Sequence, residues 1–111
     1  MPARSRSIVA DSAPLFAALG DRTRLRLVSR LSTHESVSIT RLTAGTNVSR
    51  QAVTKHLRVM EQAGLVSHSR HGRESLWQLE EHRLKEARHY LELISKQWDE
   101  ALGRLRKFVE Q

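Results

Sequence analysis

Cysteine is absent from this sequence, and proline, glycine and aromatic residues are scarce. Because soft metals such as arsenic, cadmium and lead require thiolate ligands, the lack of cysteine excludes sites for them. The chain also has no run of about 18 or more apolar residues and no signal-like segment. It therefore predicts one small cytoplasmic domain without a membrane partner.

Residue groupings that support catalysis are also missing. The six histidines are scattered along the chain, without a Ser-His-Asp grouping. A phosphate-cradling glycine loop and paired carboxylates in an apolar setting are likewise absent. We therefore expect no catalytic residue, no cofactor and no enzymatic activity.

Acidic residues are few in the first two thirds of the chain. Residues 1–79 contain 12 lysines and arginines against 5 acidic residues, whereas residues 80–111 contain 7 of each. The net charge of +7 thus belongs entirely to residues 1–79. A basic excess confined to one part of a small domain is typical of nucleic-acid binding, and double-stranded DNA is the expected partner.

A helix-turn-helix pattern lies in the middle of the chain. Ile39 and Leu42 have the spacing of a short helix, and the Ala-Gly-Thr-Asn of residues 44–47 suits a sharp turn. Ser49 suits the N-cap of a second helix, expected at residues 50–63, because its hydroxyl can accept a free amide proton. That helix carries one apolar stripe, made of Val53, Leu57 and Met60.

The opposite face of this second helix is polar and basic, and it consists of Arg50, Gln51, Thr54, Lys55 and Arg58. Arg50 stands in the first turn, where the helix dipole favours acidic residues, and no acid follows before Glu61. A phosphate at the helix N-terminus would cancel both the dipole and the Arg50 charge, so this face predicts DNA binding. A solvated basic surface is the alternative interpretation.

A β-hairpin with a basic tip follows the second helix. Residues 65–70 and 74–79 are short runs with strand character, and His71, Gly72 and Arg73 join them through a tight reversal. The wing tip at residues 70–74 would lie over the sugar-phosphate backbone or the minor groove. A polar loop with incidental charges is the alternative. The order of elements predicts a winged helix-turn-helix, mainly α with a small β-hairpin wing.

The C-terminal segment, residues 80–111, carries an unbroken heptad pattern. Its apolar positions alternate steps of three and four: Leu84, Ala87, Leu91, Ile94, Trp98, Ala101, Leu105 and Phe108. One helix over about residues 81–109 would outrun a domain of this size, so part of the stripe needs another surface. We expect the same helix of a second copy there, with Trp98 as the interface anchor. A core helix folded back over its own domain is the alternative.

The remaining residues define the domain organisation. Residues 1–10 are short, polar and basic, and they predict a flexible arm. The winged helix-turn-helix domain is placed at residues 11–79, with a short first helix opening near Pro14 and a second helix capped by Asp21. Four arginines of that second helix are expected to point mostly outward, toward solvent or phosphate: Arg22, Arg24, Arg26 and Arg30.

Three blocks of the sequence carry a family resemblance: residues 18–27 (ALGDRTRLRL), 48–57 (VSRQAVTKHL) and 61–66 (EQAGLV). Together they resemble the ArsR family of bacterial winged-helix repressors, over about residues 14–108. The long last helix with Trp98 looks most like the metal-independent SdpR-like branch. The resemblance implies a homodimer, joined through its first and last helices, that binds a palindromic operator, blocks transcription and often controls its own operon.

Matched position by position, the resemblance implies a DNA-binding set. It comprises Ser49, Arg50, Gln51, Thr54, Lys55 and His56 on the reading helix, with Arg58 on the same face and Arg70 and Arg73 in the wing. Gln51 and Lys55 are expected at base edges, because a Gln amide pairs with adenine and a Lys donates to guanine acceptors. Phosphates would be held by Ser49, Arg50, Thr54, Arg58 and the two wing arginines. For His56, a half-buried position bonded to a neighbouring group is an equal alternative.

The implied dimer interface comprises Leu15, Phe16, Leu91, Ile94, Trp98 and Leu105. A zinc site on the last helix is one alternative, with Glu80, His82, His89 and Glu92 as ligands. The spacing departs from the family's metal motif, since His82 and His89 are seven residues apart and Leu93 stands eleven after His82. We therefore expect no metal ligand, and any effector is unknown. A protein-interaction module that docks another partner through the heptad helix is the second alternative.

Overall fold

The computed structural model describes residues 2–110, with side chains for residue 10 and residues 12–110. Along this part of the chain the elements are α1 (Pro2–Leu19), α2 (Arg22–Ser32), β1 (Val37–Ser38), α3 (Ile39–Ala44), α4 (Arg50–Gln62), β2 (Val66–His71), β3 (Glu74–Leu79) and α5 (Glu81–Glu110). The predicted fold class is confirmed: the architecture is mainly helical, with a wing and a long C-terminal helix. Within residues 2–110, none of the helices combines the length and the apolar character needed to cross a bilayer.

The predicted side-chain caps of α2 and α4 are confirmed. Asp21 accepts a hydrogen bond from the Arg24 amide at 2.9 Å, and Ser49 accepts one from the Ala52 amide at 3.1 Å. Each bond satisfies one of the amides that a helix start leaves unpaired. Because Ser49 fixes the start of α4, the helix begins at Arg50, as expected.

The C-terminal end of α4 is a Schellman motif centred on Gly64. The Gly64 amide donates to the Glu61 carbonyl at 3.0 Å, and the Leu65 amide donates to the Met60 carbonyl at 2.9 Å. Gly64 has a φ of +78°, a region that glycine enters without a steric penalty. The helix therefore stops at Gln62, one residue before the predicted end.

A three-stranded antiparallel sheet, in the order β1-β3-β2, stands beside the helices. The β2–β3 hairpin is the predicted wing, although β2 begins and ends one residue later than expected. Gly72, the first of the two turn residues, has a φ of +64°, which fits a type II′ reversal. Strand β1 was not predicted, because its two residues pair with the distant Leu76 and Trp77 and carry no periodicity of their own.

The hydrophobic core lies between the helices and the sheet. Its largest fully buried side chains are Leu15, Leu27, Leu31, Leu42, Leu57, Met60, Leu65 and Val53. Among the described side chains, α5 joins this core through its first half, where Ala87 is buried and the rings of Tyr90 and Phe16 lie 5.7 Å apart. Beyond Ile94 nearly every residue of α5 is exposed, so the second half of the helix extends away from the domain.

The first helix begins at Pro2 and not near Pro14, so its predicted start was wrong. Residues 2–10 lie in this helix, whereas the sequence predicted a flexible arm for residues 1–10; Met1 lies outside the described residues. Residues 3–13 contain no glycine or further proline, and burial of Ser12 and Leu15 anchors the helix on the core. Pro14 removes one amide donor but does not end the helix.

Two α2 arginines point inward, and the expectation of outward side chains was wrong for both. The Arg24 Nε donates to the Ala18 carbonyl at 2.7 Å, at the end of α1. The two Nη groups of Arg30 donate to the carbonyls of Leu42 and Arg41, each at 2.8 Å, at the end of α3. Each guanidinium thus satisfies carbonyls at the negative end of a helix dipole.

Candidate nucleic-acid interface

The outward face of α4 forms a shallow groove of about 650 Å³ that begins at the start of the helix. The groove is lined by Ser49, Arg50, Gln51, Ala52, Thr54, Lys55 and Arg58. Helical periodicity brings these positions onto one side, opposite the buried stripe. The structure therefore brings together six of the nine residues that the sequence assigned to DNA.

Positive charge dominates this groove. Arg50, Lys55 and Arg58 are exposed, and the first turn of α4 contains no acidic residue. Among the described side chains, no carboxylate lies within ion-pair distance of these three cations. The N-terminal end of the helix dipole adds to the same positive potential. The groove therefore offers positive charge and hydrogen-bond donors to an anion bound beside the N-terminus of α4.

The two hydroxyl groups of the groove differ in what they can donate. Ser49 accepts a hydrogen bond from the Ala52 amide, so its own hydroxyl proton stays available for a phosphate oxygen. The Thr54 hydroxyl donates to the Arg50 carbonyl at 2.9 Å, so its proton is already used within the helix. Of the two, Ser49 is the better phosphate donor.

His56 does not belong to the groove. Its Nδ1 lies 3.2 Å from an Nη1 of Arg24 and 3.9 Å from a carboxylate oxygen of Asp21, and the side chain is half-buried. Position 56 lies on the flank of α4 that faces the start of α2, away from Arg50 and Lys55. Of the two interpretations of His56, the structure favours the half-buried one. No local sequence signal marks the Arg24 contact, because the two residues are 32 positions apart.

Asp21 links these two helices electrostatically. The Arg24 amide donates to its carboxylate, and this hydrogen bond, aided by the nearby charges of Arg24 and His56, holds the pKa of Asp21 below its usual value. The ionised carboxylate is therefore the form that caps α2 and faces the flank of α4.

The wing places its basic residues at the far end of the β2–β3 hairpin. Arg70, His71 and Arg73 are all exposed there, around the open turn at Gly72. A Cβ at Gly72 would meet no atom within 4 Å, so positive φ and not crowding explains this glycine. The tip is an exposed cationic projection, which suits contact with a phosphate backbone.

The second exposed surface is the apolar stripe on residues 91–109 of α5. Leu91, Trp98 and Leu105 of the predicted interface are exposed, and 63% of the Trp98 surface is accessible. The stripe continues through Leu102, Phe108 and Val109. Ile94 and Phe16 are partly buried. Such a continuous exposed apolar surface is typical of a protein-protein contact.

Leu15 was assigned wrongly to this surface. Its side chain is 0% exposed and belongs to the core of its own chain, so it cannot contact a second copy. Helical periodicity placed it on the inner face of α1, beside Ala18, whereas the neighbouring Phe16 lies at the edge of that face against Tyr90.

The residues of the zinc alternative are not arranged around a common point. Among the described side chains, no three His, Asp or Glu groups are gathered closely enough to hold a metal ion. His82 lies 3.6 Å from Glu80, while Glu92 accepts a hydrogen bond from Arg88 at 2.9 Å.

Comparisons with known proteins all point to helix-turn-helix transcriptional regulators. A model of a helix-turn-helix domain matches residues 19–68. The uncharacterized HTH-type transcriptional regulator YuzN of Bacillus subtilis (strain 168) is 38% identical over 65 residues, which cover 53% of this chain and 71% of YuzN.

Two solved structures extend the similarity to most of the chain. An ArsR-like transcriptional regulator from Rhodococcus sp. RHA1 is 33% identical with a TM-score of 0.78, covering 90% of this chain and 93% of its own. The homodimeric winged helix-turn-helix DNA-binding domain Mb0332 from Mycobacterium bovis, a possible ArsR-family regulator, has a TM-score of 0.66 at 21% identity, covering 89% and 88%.

Proposed function

Because this chain belongs to the ArsR family of winged helix-turn-helix transcriptional regulators, we propose that it is a homodimeric repressor that binds a palindromic operator. The observation that carries the proposal is the α4 groove at the start of the helix, where Arg50, Lys55 and Arg58 have no carboxylate partner among the described side chains. We further propose that it regulates its own operon and acts without a metal, as in the SdpR-like branch.

In the proposed complex, α4 enters the major groove with its first turns toward the bases. Gln51 offers an amide that matches adenine, and Lys55 offers an ammonium that matches the acceptors of guanine. Ser49, Arg50 and Arg58 bind phosphates on either side and set the position of the helix. Arg70 and Arg73 extend the contact along the backbone through the wing.

The second copy would cover the exposed half of α5. An isologous pair of helices buries the same apolar residues on both chains, and Trp98 would lie near the centre of such a contact. A homodimer of this kind presents two α4 helices to one face of DNA. Two helices that bind successive major grooves require half-sites about 34–36 Å apart, which explains a palindromic operator.

The proposal is tested by fluorescence-anisotropy titration of the DNA upstream of the protein's own gene against a scrambled duplex of equal length. We expect tight binding that prefers the upstream DNA, weakens steeply with salt and does not change when zinc is added or chelated. Binding that depends on zinc would favour the metal-responsive alternative. Absence of DNA binding at low salt would overturn the proposal and favour the protein-interaction module.

A further inference from the structure

The C-terminal end of α4 is fastened to the beginning of α5. The Glu80 amide donates to the Leu65 carbonyl at 2.8 Å, immediately after the Schellman motif. The Arg83 Nε donates to the Ala63 carbonyl at 2.9 Å, and only 14% of the Arg83 side chain is exposed. The carbonyl of the C-cap residue of the helix that carries the cationic groove is therefore bound by a side chain from the long C-terminal helix.

The Arg83 side chain also lies across Gly64. A Cβ built at Gly64 would stand 3.5 Å from the Arg83 Nε and 3.7 Å from its Cδ, which is ordinary van der Waals contact. On its other side, an Nη1 of Arg83 pairs with Glu86, one turn further along α5, at 2.5 Å. The guanidinium is thus held in place by α5 while it binds the negative end of α4.

We propose that Arg83 is a positioning residue for DNA binding, which sets the orientation of α4 relative to α5. The inference rests on the proposed function, because only a dimer joined through α5 turns this orientation into a distance between two α4 helices. α4 has 13 residues and is about 20 Å long, so a tilt of about 10° at its C-terminal end would move its first turn by about 3 Å. A shift of that size would misplace Gln51 and Lys55 against base edges.

Two substitutions separate the hydrogen bond from the packing. Arg83→Met keeps an unbranched stem across Gly64 but removes the donor to the Ala63 carbonyl. Arg83→Lys keeps a stem and a cationic donor, so it should recover most of the wild-type behaviour. Arg88→Met is the matched control, because it removes the same charge from α5 at a site that is exposed and pairs only with Glu92 among the described residues.

The orientation of α4 can be measured directly because the chain contains no cysteine. Gln51 is exposed in the first turn of α4, which a tilt at the other end displaces most, so Gln51→Cys, used only for this measurement without DNA, gives one spin-labelled site per chain. Pulsed electron paramagnetic resonance then reports the distribution of distances between the two labels of a dimer. We expect a narrow distribution for the wild type and for the Arg88→Met control, a broad or shifted one for Arg83→Met, and recovery in Arg83→Lys.

DNA binding supplies the second measurement, on the duplex that the wild-type protein selects from a random library. Arg83→Met should weaken binding to this duplex about tenfold relative to random DNA, while the Arg88→Met control keeps the wild-type preference. Arg83→Met should also lose discrimination against a duplex with one base pair inserted between the half-sites. If Arg83→Met only lowered the stability of the protein, binding to both duplexes would weaken alike, and the preference for the original half-site spacing would remain.

The outcomes distinguish this inference from the function on which it rests. Sedimentation of the labelled protein is done first, and a monomer at micromolar concentration would overturn the proposed dimer. If the protein is a dimer and binds its selected DNA, unchanged distances and unchanged spacing preference in Arg83→Met would overturn only the role of Arg83. A wild-type distribution as broad as that of Arg83→Met would also overturn it.

Discussion

At the scale of single residues, this chain uses its arginines in two different ways. Arg24 and Arg30 bind carbonyls at the ends of α1 and α3, and Arg83 does so at the end of α4. Arg50 and Arg58 instead stand exposed beside the start and the middle of α4. The first group is bound to backbone carbonyls of its own fold, and we propose that the second group supplies positive charge to DNA.

Gln51→Ala should impair recognition of the operator while leaving binding to random DNA nearly unchanged. The reason is that an amide paired with a base edge discriminates sequence, by about 1–3 kcal/mol for a bidentate pair. Anisotropy titrations on the selected and the random duplex measure the difference. Equal losses on both duplexes would remove Gln51 from the base-reading role.

Arg73→Ala should behave in the opposite way, because a wing arginine binds phosphate and carries no sequence information. We expect weaker binding to every duplex and a decrease of about 1 in the slope of log affinity against log salt concentration. The same titrations at several salt concentrations provide this slope. A loss confined to the selected duplex would show that the wing reads bases.

Asp21 gives the fold a defined response to acid. Its folded pKa lies below the ordinary value of 3.8, so the folded chain binds this proton less readily than the unfolded chain does. The stabilisation is complete above the ordinary value and is lost as the pH falls through the folded pKa. Asp21→Asn retains a capping oxygen without the titration. Urea unfolding should therefore show a smaller loss of stability between pH 6 and pH 3 in the variant, whereas parallel losses would contradict this role.

At the scale of helices and strands, local chemistry explains which boundaries were predictable. Ser49 and Gly64 mark the ends of α4 within one residue, because capping depends on neighbouring amides and carbonyls. Strand β1 and the Arg83 bond to Ala63 depend on partners about 20 or more positions away, so no sequence pattern indicates them. The groove on α4 was predictable from helical periodicity. The half-buried position of His56 was not, because it depends on how α2 packs against α4.

Two glycines provide a matched test of the helix boundaries. Gly64→Ala should destabilise the fold by about 1–2 kcal/mol, because alanine must adopt a left-handed conformation there. Gly103→Ala should be neutral or stabilise the fold by up to about 1 kcal/mol, because Gly103 lies in the interior of α5 and nothing stands within 4 Å of its added Cβ. Urea unfolding of both variants measures the two free energies. The same sign and size for both would contradict the assigned end of α4.

At the scale of the whole molecule, the two exposed surfaces are separated along the chain. The chain is an ArsR-family transcriptional regulator and not an enzyme. The cationic groove and the wing lie within residues 49–73, whereas the exposed apolar stripe lies on residues 91–109 of α5. α5 is long enough, with 30 residues, to serve both its own core and a second chain.

Trp98→Ala should weaken dimerisation before it affects the fold of the winged domain. Its side chain makes little contact with its own core, and an aromatic anchor of an interface costs about 2 kcal/mol or more when truncated. Sedimentation equilibrium should therefore show a dimer that dissociates at least tenfold more readily. Gln97→Ala, an exposed neighbour off the stripe, is the control. A Trp98→Ala protein as dimeric as this control would contradict the α5 interface.

The most direct test of the central claim is a hydroxyl-radical footprint of the protein on the DNA upstream of its own gene. A dimer that inserts two α4 helices should protect two patches on one face of the duplex, centred about one helical turn apart. Methylation of guanine N7 within these patches should block binding. One isolated patch, or uniform weak protection without preferred positions, would contradict a dimer that reads a palindromic operator.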